Sequence, residues 1–274
     1  NGLGYMAIKI QNSTNLNFLG NTMYDIKKYG FNLLDSSNIT INDNIVANIK
    51  KRQFTTQLKI NDLVDITACF SICSDSKTTN CKGNKLINNV CAGSEDFGFL
   101  MQAYDCEVDL TSKEVGYNTA YSSQHGFLID NKIGNQCVKG GNVISIRNSK
   151  IGYIVGAKSE KNFHENIISI GDTYGVVINS GTKTYSTKKI ANRIAILGQS
   201  LQNPLCIPDL QLDHKQKGLM LSLTTGGSLH TPLDKMSFPL ENPMNDGAFS
   251  SFFEGNNILL SNFQGKFLIF KIKY

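Results

Sequence analysis

Residues Cys69 to Cys106 read CFSICSDSKTTNCKGNKLINNVCAGSEDFGFLMQAYDC and hold five of the seven cysteines in the chain. A sixth, Cys137, follows closely. The residues between these cysteines are mostly Ser, Thr, Asn, Asp, Lys and Gly, which favour loops that bury little apolar area. Such loops usually need covalent cross-links. The predicted disulfide cysteines are Cys69, Cys73, Cys81, Cys91, Cys106 and Cys137.

The pairing of these cysteines is not fixed by their spacing, because six cysteines can pair in many ways. Turn residues lie between Cys81 and Cys91, so a small hairpin bridged by these two is one expectation. Cys206, in NPLCIPD, lies far from the others and is the candidate free thiol. Alternatively, Cys206 pairs with one of the six and leaves another free. Reduced, buried cysteines in a cytosolic protein are a further alternative.

The cysteine pattern does not indicate a zinc site. Structural zinc usually takes its ligands in close pairs such as C-x2-C. The chain has no C-x2-C pair, and none of its four histidines lies within five residues of a cysteine. We therefore predict no cofactor and no structural metal.

One calcium candidate follows the cysteine-rich stretch. Asp105, Glu107 and Asp109 alternate along the sequence, so a strand would place all three carboxylates on one face. Like charges so placed repel each other unless they share a cation. The alternative is an exposed strand edge with solvated carboxylates.

The predicted disulfides indicate an oxidising compartment, so the expected location is secreted, cell surface or periplasmic. The chain opens NGLGYMAIKIQ, without the basic and apolar regions of a signal peptide. That opening suits a processed mature protein or a trimmed chain. No run of eighteen apolar residues occurs, so no membrane span is predicted in this chain.

Composition argues against a helical protein and against nucleic acid as a partner. Charged residues make up 18% of the chain, below the usual quarter, and polar residues and glycine replace them. The net charge of +5 is modest. Arginine, which dominates phosphate and base recognition, occurs only at Arg52, Arg147 and Arg193.

Short runs that favour strands recur every ten to fifteen residues in the second half, with turn residues between them. Examples are 142–147, 151–156, 174–179 and 219–223. We therefore predict a mainly β protein: an antiparallel sandwich or barrel-like sheets, with a disulfide-rich loop insertion and little helix. The spacing of Met23, Ile26 and Tyr29 predicts one or two helical turns over 22–29.

The predicted domain organisation is an N-terminal β region over 1–137, which carries the cysteine-rich loops, and a C-terminal β domain over 138–274. A single domain is the alternative at this length.

Known catalytic motifs are absent from the sequence. His164-Glu165 lacks the second histidine of H-E-x-x-H, and neither a G-x-S-x-G elbow nor a phosphate-binding loop occurs. A Cys–His nucleophile pair would have to use Cys206 with His214 or His230, and no helix N-terminus is indicated there to activate the thiol. We predict no catalytic residue.

The expected function is therefore that of a non-catalytic binding or adhesion protein. Disulfide-stapled loops on a rigid sheet scaffold present a fixed recognition surface, as in adhesins, pilus-tip subunits and the binding subunits of toxins. The expected partner is a host or cell-surface protein or glycan, or copies of the protein itself.

Two alternatives remain open. One is a secreted, glycosidase-like hydrolase, whose two carboxylates would come from Glu95, Asp96, Asp105 and Glu107. The other is a self-assembling filament or pilus-type subunit that exchanges its terminal strands between copies.

Overall fold

A computed structural model describes residues 5–51, 66–73, 81–111, 115–130, 137–155, 161–179, 188–198, 217–222 and 252–263. Within these residues the regular structure is β-strand, without helix. The backbone winds as a β-solenoid. Each pass of the chain, here called a coil, stacks on the previous one, and equivalent strands of successive coils pair in parallel.

In the described residues, the first three coils have three strands each, the fourth has a short second strand, and the next four have two strands. In chain order the strands are β1 Met6–Gln11, β2 Asn17–Leu19, β3 Thr22–Ile26; β4 Tyr29–Leu34, β5 Thr40–Asn42, β6 Ile45–Ile49; β7 Ala68–Ile72, β8 Lys85–Ile87, β9 Val90–Ser94; β10 Phe97–Gln102, β11 Tyr104–Asp105, β12 Asn118–Tyr121; β13 His125–Asp130, β14 Cys137–Ile146; β15 Ile151–Val155, β16 Lys161–Ile170; β17 Tyr174–Asn179, β18 Lys188–Leu197; β19 Lys217–Ser222 and β20 Phe252–Ser261.

Three sheets run along the solenoid. The first sheet has the order β1-β4-β7-β10-β13-β15-β17-β19, and the second has the order β3-β6-β9-β12-β14-β16-β18-β20. The third sheet contains β2, β5 and β8 and stops there. All pairs within these sheets are parallel, and the short β11 pairs antiparallel with β14. Two long sheets therefore enclose the core, and the third sheet adds a side along the first three coils.

The prediction of an antiparallel sandwich or barrel is wrong. The turn residues that indicated reversals of the chain form corners, at which the chain bends into another sheet and then continues. Asp43, a residue type typical of turns, has φ of 54° between β5 of the third sheet and β6 of the second. The cysteine-rich stretch is also not a loop insertion, because it contains β7, β8, β9 and β10.

The expected helical turns over 22–29 are likewise wrong. That segment contains β3 and the start of β4, which belong to different sheets. Asp25 bends the chain with φ of 58°, and Asn48 and Ser122 occupy the equivalent corner of later coils with φ of 57° and 55°. Short polar side chains tolerate this left-handed conformation better than most residues. The corners therefore explain much of the Asn-rich composition.

Asparagines also connect the coils at another corner. The backbone N–H of Asn21 donates to Oδ1 of Asn44 at 2.9 Å. Asn44 donates in the same way to Asn89, and Asn89 to Asn118, both at 3.1 Å. These buried amides satisfy backbone groups where the strands end, so each coil is joined to the next by side chains as well as by sheet pairing.

The core contains a column of stacked aromatic rings on the first sheet. Register aligns Phe31, Phe70, Phe99 and Phe127, followed by Tyr153. Ring centroids of the four phenylalanines lie 5.4, 4.6 and 4.8 Å apart, with interplanar angles of 9°, 7° and 11°. All five side chains are fully buried. This column is a continuous part of the apolar core from the second coil to the sixth.

Beside the aromatic column the two long sheets approach closely, and glycine occupies most positions. At Gly98 of β10 an added Cβ would lie 2.7 Å from the Cβ of Ala120, on β12 of the second sheet. Cys69 occupies the equivalent position of β7, where it bonds to Cys91 of β9. The disulfide therefore ties the first sheet to the second across the interior.

Several predicted strands are confirmed: residues 142–146 lie in β14, 151–155 in β15, 174–179 in β17 and 219–222 in β19. The predicted domain boundary falls at Cys137, the first residue of β14. That strand pairs with β12 and β16, so the second sheet continues past this position.

Candidate functional site

The six predicted cysteines lie in three pairs at disulfide distance: Cys69–Cys91, Cys73–Cys81 and Cys106–Cys137. The hairpin bridged by Cys81 and Cys91 does not form, because these two residues pair with other partners. Such pairs suit an oxidising, extracellular environment. Cys206, the candidate free thiol, lies outside the described residues.

A cleft of about 620 Å³ opens where the third sheet stops. In the fourth coil, the segment after β11 is a loop, and no strand of this coil pairs with β8 to extend the third sheet. Lys82, Gly83, Asn84 and Lys85 line one wall. The opposite wall is lined by Gln102, Ala103, Tyr104, Asp105, Val108, Asp109 and Val115. The cleft thus occupies the place that a fourth strand of the third sheet would take.

Disulfides hold both walls of the cleft. Cys73 and Cys81 lie in its lining and connect the end of β7 to the segment before β8. Cys106–Cys137 ties the loop after β11 to the start of β14. Gln102 adds a hydrogen bond across this region, from its Nε2 to the carbonyl oxygen of Cys73 at 2.9 Å. These links reduce the freedom of the walls before any ligand binds.

The carboxylates of the calcium candidate lie at the cleft or next to it. Asp105 ends β11, and Glu107 and Asp109 follow in the turn, with Asp105 and Asp109 in the lining. Hydrogen bonds from the Thr111 hydroxyl and N–H hold the pKa of Asp109 below its usual value. Among the described residues, no group of three His, Cys, Asp or Glu side chains could hold a metal ion.

The four carboxylates of the hydrolase alternative are not brought together. Glu95 and Asp96 precede β10, whereas Asp105 and Glu107 follow it. At the usual rise per residue, this six-residue strand separates the two pairs by roughly 20 Å. The Oε2 atom of Glu95 accepts a hydrogen bond from the backbone N–H of Lys51 at 2.6 Å.

Asp96 faces a buried histidine at the corner before β10. Its Oδ1 lies 3.7 Å from Nδ1 of His125, and the His125 ring stacks on Phe97 with centroids 4.8 Å apart. Burial lowers the pKa of His125 despite the neighbouring carboxylate. A neutral imidazole packed on an aromatic ring belongs to the support of the first sheet and not to a solvent-accessible catalytic pair.

Sequence reasoning missed a buried polar cluster inside the later coils. Tyr153 Oη lies 3.4 Å from Nδ1 of His164, and Gly140 leaves room for that hydroxyl. Lys189 is 2% exposed, and its Nζ has no hydrogen-bond partner. Burial lowers the pKa of Lys189 to about 8. Because these three residues belong to no sequence motif and lie far apart along the chain, only their inward positions on β15, β16 and β18 reveal the cluster.

Burial, together with the nearby Lys189, lowers the pKa of His164 from 6.5 to about 3. As the pH falls below 6.5, the unfolded chain takes up a proton at His164 and the folded protein does not. We expect the free energy of unfolding to fall between these two pKa values, by about 2 kcal/mol at about pH 5 from this residue alone. Urea titrations across this pH range measure it.

The matched variant for this measurement is His164→Leu, which should flatten the pH dependence by that amount. The lowered pKa of His125 also makes the free energy of unfolding fall as the pH falls. Because His125 is present in both proteins, the difference between their pH dependences isolates His164. An unchanged slope in the variant would contradict the assignment.

Comparison of the sequence with protein-family models gives no match, and comparisons with curated proteins and with solved structures also give none. Among the described segments, no helix has the length and apolar character needed to cross a membrane.

Proposed function

We propose that this protein is a secreted or cell-surface binding protein without catalytic activity, and that its cleft holds an extended segment of a protein partner. The observation that carries this proposal is the position of the cleft, which takes the place of a fourth strand in the third sheet. A peptide that continues a sheet is a recurrent form of recognition, because strand edges supply main-chain hydrogen bonds.

The edge of β8 faces the cleft through Leu86. Lys85 donates its N–H to Ile39, and the carbonyl of Ile87 accepts from Asp43, so these residues bond towards the preceding coil. Because successive residues of a parallel strand direct their backbone groups to opposite sides, the N–H and carbonyl of Leu86 point away from the preceding coil. Its carbonyl already accepts a hydrogen bond from Nδ2 of Asn118 at 3.0 Å.

The charges of the walls support a peptide ligand. Lys82 contributes a positive charge to the lining and Asp109 a negative one. A segment carrying charges of both signs would complement these two residues, and this complementarity would select among extended sequences.

The carboxylates of the cleft support binding in preference to hydrolysis. A glycosidase needs one carboxyl with a raised pKa as its general acid. The pKa of Asp109 is lowered. Burial raises the pKa of the Asp172 carboxyl, but this residue does not line the cleft. It is held by Ser169 and Asn148 inside the solenoid.

Selection of random peptides displayed on phage against the immobilised protein tests the proposal. Enriched peptides should bind the protein in fluorescence anisotropy, and Lys82→Glu should weaken that binding about tenfold. Lys9→Glu is the matched control, because Lys9 is an exposed lysine on β1, outside the cleft. A selection without enrichment, or equal effects of the two variants, would refute a peptide site in the cleft.

A further inference from the structure

A strip along the outward face of the second sheet carries no charge. Each of the eight strands, from β3 to β20, contributes two positions to this strip. The ion pairs Lys188–Glu254 and Arg193–Glu165 lie in the earlier parts of the longer strands, outside the strip. One column begins at Thr22 and ends at Leu259, and the other begins at Tyr24 and ends at Ser261. None of these sixteen positions holds Asp, Glu, Lys, Arg or His. In a chain with 49 acidic and basic residues, this makes the face chemically distinct.

Two exposed tyrosines lie in one column of this face. Register places Tyr24 beside Ala47, Ala47 beside Ala92, and Ala92 beside Tyr121. Tyr24 is 65% exposed and Tyr121 is 39% exposed. The tyrosines are three strand spacings apart, about 14 Å, with only alanine methyl groups between them. The part of the column from Tyr24 to Tyr121 therefore forms a shallow trough, with an aromatic ring at each end.

We propose that this trough binds a neutral linear polysaccharide that lies along the solenoid axis. The spacing between strands is close to the length of one sugar ring in an extended glycan, so successive coils would meet successive sugars. Tyrosine rings provide apolar faces for the C–H surfaces of the sugars and hydroxyls for their polar edges. The alanines leave space for the sugars between the two rings.

Polar groups line one border of the trough and can hydrogen-bond sugar hydroxyls. Nδ2 of Asn48 donates to Oδ1 of Asp25 at 3.0 Å, and Nζ of Lys50 lies 2.7 Å from the same oxygen. These groups neutralise each other. A charged ligand would therefore lose hydration on this face without gaining a counter-charge, which favours a neutral one.

The size and shape of the face fit a polymer chain better than a second copy of the protein. Eight strands span about 34 Å, and two columns give roughly 500 Å², below the usual 800 Å² or so per partner in a stable protein interface. The projecting Tyr24 would also prevent two such faces from packing flat against each other.

Retention of the intact protein on microcrystalline cellulose, chitin and an insoluble neutral glucan tests this inference, with immobilised heparin as the charged comparison. We expect retention on at least one neutral polymer that persists in about 1 M NaCl, where charge interactions are screened. Tyr24→Ala and Tyr121→Ala should each lower the affinity about tenfold. Tyr117→Ala is the control, since Tyr117 is as exposed as Tyr121 (39%) but precedes β12.

Thermal melts establish that each variant is folded, so that a loss of retention reports on the face. Four results would overturn the inference: no retention on any neutral polymer, retention on heparin alone, an equal loss in Tyr117→Ala, or a dimer that Tyr24→Ala dissolves. The peptide selection described above uses a different part of the molecule, so either proposal can fail without the other.

Discussion

Replacing Phe99 with alanine should lower the free energy of unfolding by about 3–5 kcal/mol. Phe99 is fully buried, and its ring stacks on Phe70 at 4.6 Å and on Phe127 at 4.8 Å. Truncation therefore removes contacts to the coils on both sides and leaves a cavity in a column that cannot easily collapse. Each coil of a solenoid depends on its neighbours, so the loss at β10 weakens two interfaces at once.

Urea titration followed by circular dichroism measures this loss. Phe99→Leu refills part of the space and should recover part of the stability. Leu19→Ala is the surface control, since Leu19 is 67% exposed and its removal should change stability by less than about 0.5 kcal/mol. A Phe99→Ala protein as stable as the parent would show that the aromatic column is not the main support of the core.

Removing the Cys69–Cys91 bridge should lower the free energy of unfolding by about 3 kcal/mol, as chain entropy predicts for a separation of 22 residues. The double variant Cys69→Ala/Cys91→Ala tests this. Because both cysteines are buried at the close approach of the two long sheets, alanine leaves only a small change in volume there. The effect should therefore come mainly from the unfolded chain.

The bridge Cys73–Cys81 provides the comparison, since its separation of 8 residues predicts a smaller loss, about 2.5 kcal/mol. Thiol counting by mass spectrometry on unreduced protein checks the premise directly. Three bridges among seven cysteines leave one thiol to be labelled. Labelling of all seven in the native protein would contradict both the bridges and the extracellular location argued from them.

The sequence was a good guide to strands and a poor guide to how they pair. Apolar runs such as 174–179 mark strands whichever direction their neighbours take. Asn, Asp and Gly at strand ends are found both in hairpin turns, which reverse the chain, and at left-handed corners. The identity of Asp43 therefore did not indicate which of the two it forms. Over 22–29, Met23 and Ile26 are buried on successive sides of a bend, and their spacing imitates a helical face.

The repeat was hidden because the coils differ in length. Met6 and Tyr29 are equivalent and lie 23 residues apart, as do Ile151 and Tyr174. Tyr29 and Ala68 are also equivalent but lie 39 residues apart. Segments of different length between strands therefore remove any fixed period, although the register within each sheet is maintained.

The candidate site was partly visible from the sequence. The six cysteines and the carboxylates Asp105 and Asp109 were identified from local pattern alone. Their assembly into one cleft was not, because it depends on β8 and β11 lying in successive coils. The inward position of Lys189 was also invisible, since a pair of lysines such as Lys188-Lys189 before an apolar run is the usual sign of exposed residues.

The ladder of Asn21, Asn44, Asn89 and Asn118 limits how the length of this chain can vary between relatives. Gain or loss of one residue within a strand would move an amide out of line and turn neighbouring side chains to the opposite face. Duplication of a whole coil would keep the equivalent residues of successive coils aligned, and so would insertions at the corners. Evolutionary change in length should therefore be concentrated between strands, where it can alter the surface while the stacked framework stays constant.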